Sequence, residues 1–238
     1  MINAFSPEPL KSEQMDEFYC EETMEFRMSD KYSSPMEDIY DICQKSGGRK
    51  SFLLLGHKGC GKSTELNDTR FAAMKSYFIT KTLPMIKIET IEGEAYENGI
   101  DVIQKIVEKR TRLDLFEEGV LKELINYTGG LLRDLFHVIN ASAKRAERRK
   151  STIICHEDAQ RALEELKTSL TRRIEKKDYE FLMNICKGNK TIIEDKEVLL
   201  KMLQASVVLE YNGKRWHNVH PLVVQFLKEQ GLFKDVRR

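Results

Sequence analysis

The chain has 238 residues, of which 41% are hydrophobic and 32% charged, and its formal net charge is +1. This composition predicts a globular protein of one or two domains, excludes wholesale disorder and argues against a basic surface spread over the whole chain. No apolar run approaches the roughly 20 residues of a membrane-spanning helix, and no apolar signal segment opens the sequence, so we expect no membrane contact. Five scattered cysteines without a C-x-x-C pair predict free thiols in a reducing, cytoplasmic compartment.

The N-terminal part of the sequence predicts an arm followed by a small α/β core. Residues 1–35 are polar, acidic and interrupted by prolines, so we expect an irregular arm there. A helical pattern then begins at Met36 and ends at two glycines. Three short apolar runs predict buried strands, the first of them parallel, within a core over residues 36–96. The predicted strands lie at 51–55, 77–81 and 85–89.

The middle of the chain, residues 97–170, has a different pattern. Apolar residues recur there at helical spacing in four stretches joined by short connectors. Four short helices in succession predict a helical bundle. The stretches are marked by Ile100, Ile103, Ile106 and Val107, by Val120, Leu121, Leu124 and Ile125, by Leu131, Leu132, Leu135, Phe136 and Ile139, and by Ala159, Ala162, Leu163 and Leu166.

The last segment, residues 171–238, changes pattern again. Two helical stretches precede two β-rich runs that are joined by Asn212-Gly213, the strongest short-range signal of a hairpin. Helix, helix, hairpin is the order of a winged helix, and we expect an independent unit. Its predicted core comprises Leu199, Leu203, Val208, Leu209 and Leu222.

One motif carries recognisable chemistry. It fits G-x-x-x-x-G-K-[ST] at every fixed position, follows an apolar run and opens a helical stretch. The glycines let backbone N–H groups point at phosphate oxygens, Lys62 reaches the β- and γ-phosphates, and the Ser63 hydroxyl can ligate Mg²⁺. His57 and Cys60 occupy variable positions, so we expect neither to be a nucleophile or a metal ligand. The motif reads Gly56-His57-Lys58-Gly59-Cys60-Gly61-Lys62-Ser63, with Thr64 next.

Together with the segments behind it, this motif resembles the AAA+ ATPases of the origin-recognition and STAND-like type. Residues 53–67 resemble their Walker A strand, loop and helix, and residues 127–135 resemble the start of the lid helix. The resemblance implies a P-loop core, a helical lid over 97–170, an appended winged helix, and ATP or ADP with Mg²⁺ as cofactor. It also implies that Arg133 contacts the γ-phosphate from the lid, a contact suited to a planar guanidinium. The alternative for Arg133 is a surface ion pair with Asp134 or Asp114.

The acidic Walker B motif of that family is missing. The family pattern is four apolar residues followed by Asp-Glu, which hold Mg²⁺ and activate water. Neither 86–89 nor 153–158 fits, and Glu157 and Asp158 are better placed as acids at the start of a helix. The stretch between the motif and the lid is also too short for a complete sheet. We therefore predict an α/β fold with a truncated P-loop NTPase core, acting as a nucleotide-dependent switch or scaffold with hydrolysis weak or lost.

Two other functions stay open. An unrecognised acidic residue, or one supplied by a partner subunit, would make the protein an active ATPase. The winged helix would instead make it a DNA-binding protein, although we expect that unit to serve protein contact or lid positioning. For the chain as a whole we expect a protein partner or self-association. Trp216 is expected to pack within the hairpin, while His217 and His220 are placed on a strand edge without further metal ligands. The basic residues for a DNA contact are Lys144, Arg145, Arg148, Arg149, Lys150, Arg172, Arg173, Lys214 and Arg215.

Overall fold

The computed structural model describes residues 14–19, 53–55, 80–82, 85–191, 195–211 and 216–232. Over these ranges the chain is mostly helical, with two two-stranded sheets. The helices are α1 (Met15–Phe18), α2 (Glu97–Glu108), α3 (Val120–Tyr127), α4 (Leu132–Arg148), α5 (His156–Thr171), α6 (Tyr179–Cys186), α7 (Lys196–Gln204) and α8 (Pro221–Glu229). The strands are β1 (Leu53–Leu55), β2 (Thr80–Thr82), β3 (Val208–Tyr211) and β4 (Trp216–Val219).

The first sheet contains two of the three strands predicted for the core. β1 and β2 pair in parallel, with Leu53 opposite Thr80 and Leu55 opposite Thr82, which confirms the parallel strand expected within 51–55. The helical pattern from Met36 and most of the arm over 1–35 lie outside the described residues. Within the arm, residues 14–19 are described and contain the single turn of α1.

The third predicted strand, at 85–89, is wrong. Met85, Ile86 and Ile88 are buried, but only Glu89 makes a bridge, to Ala95. Among the described residues, the backbone of this segment contacts the start of α2 and the turn before α4. The N–H of Tyr96 donates to the carbonyl of Ile88, and α2 lies so close to Lys87 that a Cβ at Gly99 would be 1.8 Å from the Lys87 carbonyl oxygen. Alternating apolar residues therefore mark burial in this segment, not a sheet.

The helical bundle predicted over 97–170 is confirmed as α2 to α5. The apolar residues that predicted these helices are buried except Leu132, which is half-buried, and α4 packs along α5. Asp158 accepts a hydrogen bond from the backbone N–H of Cys155 at 3.2 Å and closes a capping box at the start of α5. This geometry confirms Glu157 and Asp158 as acids of the first helical turn.

The C-terminal segment contains the predicted helix, helix and hairpin as α6, α7 and β3–β4. β3 and β4 are antiparallel, with Tyr211 opposite Trp216. The sequence analysis missed α8, which begins with Pro221 at its first position and is capped by His220. His220 is therefore a buried helix cap and not a strand-edge residue, which corrects its predicted position.

One hydrophobic core runs through both the helical bundle and the C-terminal segment, because α8 packs on α5. Val208 and Leu222 belong to this core, and Leu199 and Leu203 pack against it. Leu209 does not, contrary to prediction: successive residues of a strand face opposite ways, and Leu209 lies in a second, smaller cluster. The winged-helix interpretation and the boundary near residue 171 stay predictions.

Candidate functional site

The predicted phosphate-binding motif Gly56–Thr64, with Ser63 as its predicted Mg²⁺ ligand, lies outside the described residues. The strand that precedes it is described: β1 ends at Leu55, immediately before Gly56, and runs parallel to β2. A parallel strand entering a glycine-rich loop is the context in which this motif binds phosphate. Two residues after β2, the chain enters the buried segment Met85–Ile88, which reaches the turn before α4.

Arg133 is the described member of the predicted site. It is the second residue of α4, its side chain is exposed, and its guanidinium forms no ion pair with any residue in the described part of the chain. Neither alternative ion pair forms in the described structure, since Asp114 pairs with Arg112 and Asp134 is turned toward His220. Arg133 thus presents five N–H donors at the positive end of a helix, where an anion would be favoured.

The turn that starts α4 is built from Gly129 and Gly130. Both have positive φ, 63° and 78°, a conformation that costs a side-chain-bearing residue energy. Space is also limiting, because a Cβ at Gly129 would lie 2.5 Å from Leu209 Cδ1, and one at Gly130 would lie 2.5 Å from the carbonyl oxygen of Ile86. The turn is therefore held between the segment after β2 and the C-terminal hairpin.

A small apolar cluster, which we call the junction cluster, surrounds the residue before α4. Its buried members are Met85, Leu131, Leu209, Tyr211 and Trp216. Tyr211 stacks on Trp216 with ring centroids 4.5 Å apart and donates a hydrogen bond from its hydroxyl to the carbonyl oxygen of Gly129 at 2.6 Å. Burial, with a smaller contribution from the charge of Glu89, raises the pKa of Tyr211 well above its usual value. Trp216 is confirmed as a packing residue.

A polar contact lies beside the junction cluster. His220 is fully buried, and its Nδ1 accepts a hydrogen bond from the backbone N–H of Leu222 at 3.2 Å. That acceptor role implies that the ring proton is on Nε2. Nε2 faces Asp134 Oδ2 at 3.6 Å, and neither atom has a hydrogen-bond partner in the described structure. Asp134 follows Arg133 directly, on the inward face of the same helical turn.

The acidic residues considered for a Walker B motif are engaged in structural contacts. Glu89 accepts a hydrogen bond from the side chain of Asn218. Asp158 is paired with Arg149, which lowers the pKa of that carboxyl group, and Glu157 is paired with Arg161. None of the three lies at the carboxyl end of β1 or β2. None of these three acids therefore replaces the missing motif.

Much of the basic surface predicted for DNA is also engaged. Arg145 pairs with Glu165, Arg149 with Asp158, and Arg173 donates to the carbonyl oxygen of Ala205. Lys201, on the helix before the hairpin, binds Glu175 and Asp178. Lys144, Arg148, Lys150 and Arg172 are exposed, and Lys214 and Arg215 lie outside the described residues.

Two other classes of site were sought over the described ranges. No group of three histidine, cysteine, aspartate or glutamate side chains there is arranged to hold a metal ion. No helix of that part of the chain is both long enough and apolar enough to cross a membrane.

Comparison with known proteins adds little to this description of the site. No family model matches the chain, and no curated protein sequence matches it. The crystal structure of Cdc6p from Pyrobaculum aerophilum is similar at 12% sequence identity and a TM-score of 0.28, over 88% of this chain and 75% of that one. With so low a TM-score, the likeness by itself establishes neither a common fold nor a shared activity.

Proposed function

We propose that this chain is an AAA+-like protein that binds ATP or ADP with Mg²⁺ and works as a nucleotide-dependent switch or scaffold. The observation that carries the proposal is the complete P-loop motif, Gly56–Ser63, placed directly after a strand that pairs in parallel. Pattern and context are independent signals, and both favour phosphate binding. Within the motif, Gly56, Gly59, Gly61 and Lys62 would hold phosphate, and Ser63 would hold Mg²⁺.

Arg133 supports the same proposal from the lid side. An exposed guanidinium at a helix start, without an ion pair to any described residue, suits a terminal phosphate, which it can bind through two N–H donors. Because ADP lacks the γ-phosphate, Arg133 would strengthen ATP binding more than ADP binding. That difference is the property a switch requires, since a ligand shifts an equilibrium only by its differential affinity.

Weak or absent hydrolysis is part of the proposal. The candidate acids Glu89, Glu157 and Asp158 are held by other side chains. Without a general base to activate water, the rate would fall by roughly 10²–10⁴-fold. An active ATPase would need an acid from outside the described residues or from a partner subunit.

DNA binding is less well supported than protein contact or self-association. Phosphate contacts need accessible cations, and the ion pairs of Arg145, Arg149 and Lys201 already engage three of them. A salt titration tests this ranking. Sub-micromolar affinity for duplex DNA with a steep salt dependence, reduced in Lys214→Ala/Arg215→Ala, would reverse it.

The proposal is tested by measuring binding and turnover on the same preparation. Calorimetric titration with MgATP and MgADP should show one site per chain, and Arg133→Ala should reduce the preference for ATP over ADP. A phosphate-release assay should stay at background. Turnover of several per second that disappears in Lys62→Ala would show that the catalytic acid had been missed.

A further inference from the structure

We propose that His220 is a positioning residue for Arg133, acting through Asp134, so that the C-terminal hairpin and α8 regulate ATP recognition at the lid. This inference rests on the proposed nucleotide-binding function. It begins from two buried polar atoms, His220 Nε2 and Asp134 Oδ2, that face each other at 3.6 Å and have no other hydrogen-bond partner in the described structure.

The contact is placed where it can orient Arg133. Asp134 and Arg133 are consecutive residues in the first turn of α4, so a side chain that holds Asp134 inward fixes the rotation at which Arg133 points outward. Arg133 itself contacts no charged residue of the described ranges that could orient it. Its direction is therefore set through the backbone of the turn.

The two atoms lie slightly beyond hydrogen-bonding distance. A hydrogen bond from N–H to oxygen ends at about 3.2 Å, so a movement of less than about 1 Å would close it. Leaving two buried polar atoms unpaired costs free energy, and closure removes that cost. Closure of the His220–Asp134 contact would therefore favour movement of α4 toward α8. A change that separates the hairpin from α4 would oppose that movement.

Neighbouring contacts also connect the start of α4 with the C-terminal hairpin. Tyr211 holds Gly129, and Leu131 lies in the junction cluster with Leu209 and Trp216. On the opposite side of the turn, the carbonyl oxygen of Ile86 packs closely against Gly130. The start of α4 therefore touches both the segment that follows β2 and the C-terminal hairpin, which gives a continuous physical route between that segment and the hairpin.

His220→Asn separates the two roles of the histidine. Asparagine is a good N-cap and can still accept the hydrogen bond from Leu222, but its shorter side chain cannot reach Asp134. Asp134→Ala removes the contact from the other side, and Asp134→Asn keeps an acceptor oxygen and should rescue it. Lys167→Met is the matched control, because it breaks the tie of α8 to α5 through Glu229 without touching the first turn of α4.

The test measures dissociation constants for MgATP and MgADP on the full chain. Arg133→Ala should lower the preference for ATP about fivefold or more, and His220→Asn and Asp134→Ala about threefold or more. Asp134→Asn and Lys167→Met should keep the wild-type preference, and His220→Asn should add little to Arg133→Ala. If His220 served only as a helix cap, its substitution would not change the ratio of the dissociation constants for MgATP and MgADP.

Hydrogen exchange of the α4 amides in the nucleotide-free protein gives a second, independent measurement. His220→Asn should speed exchange of the Leu135 and Phe136 amides, and Lys167→Met should not. If Arg133→Ala lowers the ATP preference while His220→Asn leaves both the preference and the exchange unchanged, the inference is overturned and the proposed function stands. If the wild-type chain binds no nucleotide, the proposed function fails, and with it the role of His220 in ATP recognition.

Discussion

The hydroxyl of Tyr211 donates a 2.6 Å hydrogen bond to the carbonyl oxygen of Gly129. This bond fastens the C-terminal hairpin to the turn from which α4 begins. The Tyr211 ring stacks on Trp216, and both rings are buried with Leu131. The last part of the chain is thus in direct contact with the segment that carries Arg133.

Tyr211→Phe should lower the free energy of unfolding by about 0.5–1.5 kcal/mol, because it keeps the stacked ring but leaves the Gly129 carbonyl without its donor. Urea denaturation measures the change. Tyr127→Phe, on an exposed tyrosine, is the control and should have little effect. Equal stability of wild type and Tyr211→Phe would show that water replaces the hydroxyl at this position.

Arg149→Ala should destabilise the protein by about 1–3 kcal/mol, since Asp158 keeps only 4% of its side chain exposed and would lose its charged partner. Arg112→Ala breaks an ion pair whose side chains are 78% and 61% exposed, and should have a much smaller effect on stability. Chemical denaturation of the two variants compares a buried with a solvated carboxylate. Similar losses of stability in Arg149→Ala and Arg112→Ala would contradict the role assigned to the burial of Asp158.

Gly99→Ala should destabilise the protein, although alanine normally favours a helix interior over glycine. The added Cβ would lie 1.8 Å from the Lys87 carbonyl oxygen, so α2 must move away from the segment after β2, at a cost of about 1–3 kcal/mol. Asn98→Ala changes the exposed neighbour in the same helix and should be neutral. A Gly99→Ala protein as stable as wild type would mean that α2 does not lie against residue 87.

The stability of the fold should depend on pH through His156. A hydrogen bond from its Nδ1 to Glu123, at 2.7 Å, is the main cause of its raised pKa, opposed by desolvation. Because the folded chain holds this proton more tightly, the stabilisation is complete below the unfolded pKa of about 6.5 and disappears as the pH rises through the raised folded value.

His156→Gln should therefore lower the urea midpoint most between about pH 5 and 6.5, where histidine is charged and glutamate is ionised, and progressively less at higher pH. Glu123→Gln should reproduce that pH dependence from the other partner. A difference between wild type and His156→Gln that grows with pH would have the wrong sign for this ion pair.

The helices could be predicted because the spacing of apolar residues that specifies each helix lies within that helix. The spacing of Ile100, Ile103 and Ile106 alone marks the buried face of α2, and Asn212-Gly213 marks the hairpin between β3 and β4. α8 could have been predicted too. Proline at its first position and the apolar residues Leu222, Val223, Phe226 and Leu227 are local signals of a helix.

The tertiary contacts of the site were not predictable in the same way. Ile86 and Ile88 alternate as in a strand, yet what they pack against is decided by Gly99 and Gly130, which lie far along the chain. The contact of Asp134 with His220 has no periodicity or motif of its own. The predicted phosphate-binding motif differs from these contacts, because a loop that binds phosphate requires glycines at fixed spacing and so leaves a pattern in the sequence.

Direct calorimetric titration of the full chain with MgATP tests the central claim. The wild-type protein should bind one nucleotide per chain, and Lys62→Ala should abolish binding while keeping the wild-type unfolding transition. Lys58→Ala is the matched control: it removes the same charge from a variable position of the same loop and should keep most of the affinity. Absence of binding to the wild-type protein, or equal binding to wild type and Lys62→Ala, would contradict the assignment of Gly56–Thr64 as a nucleotide site.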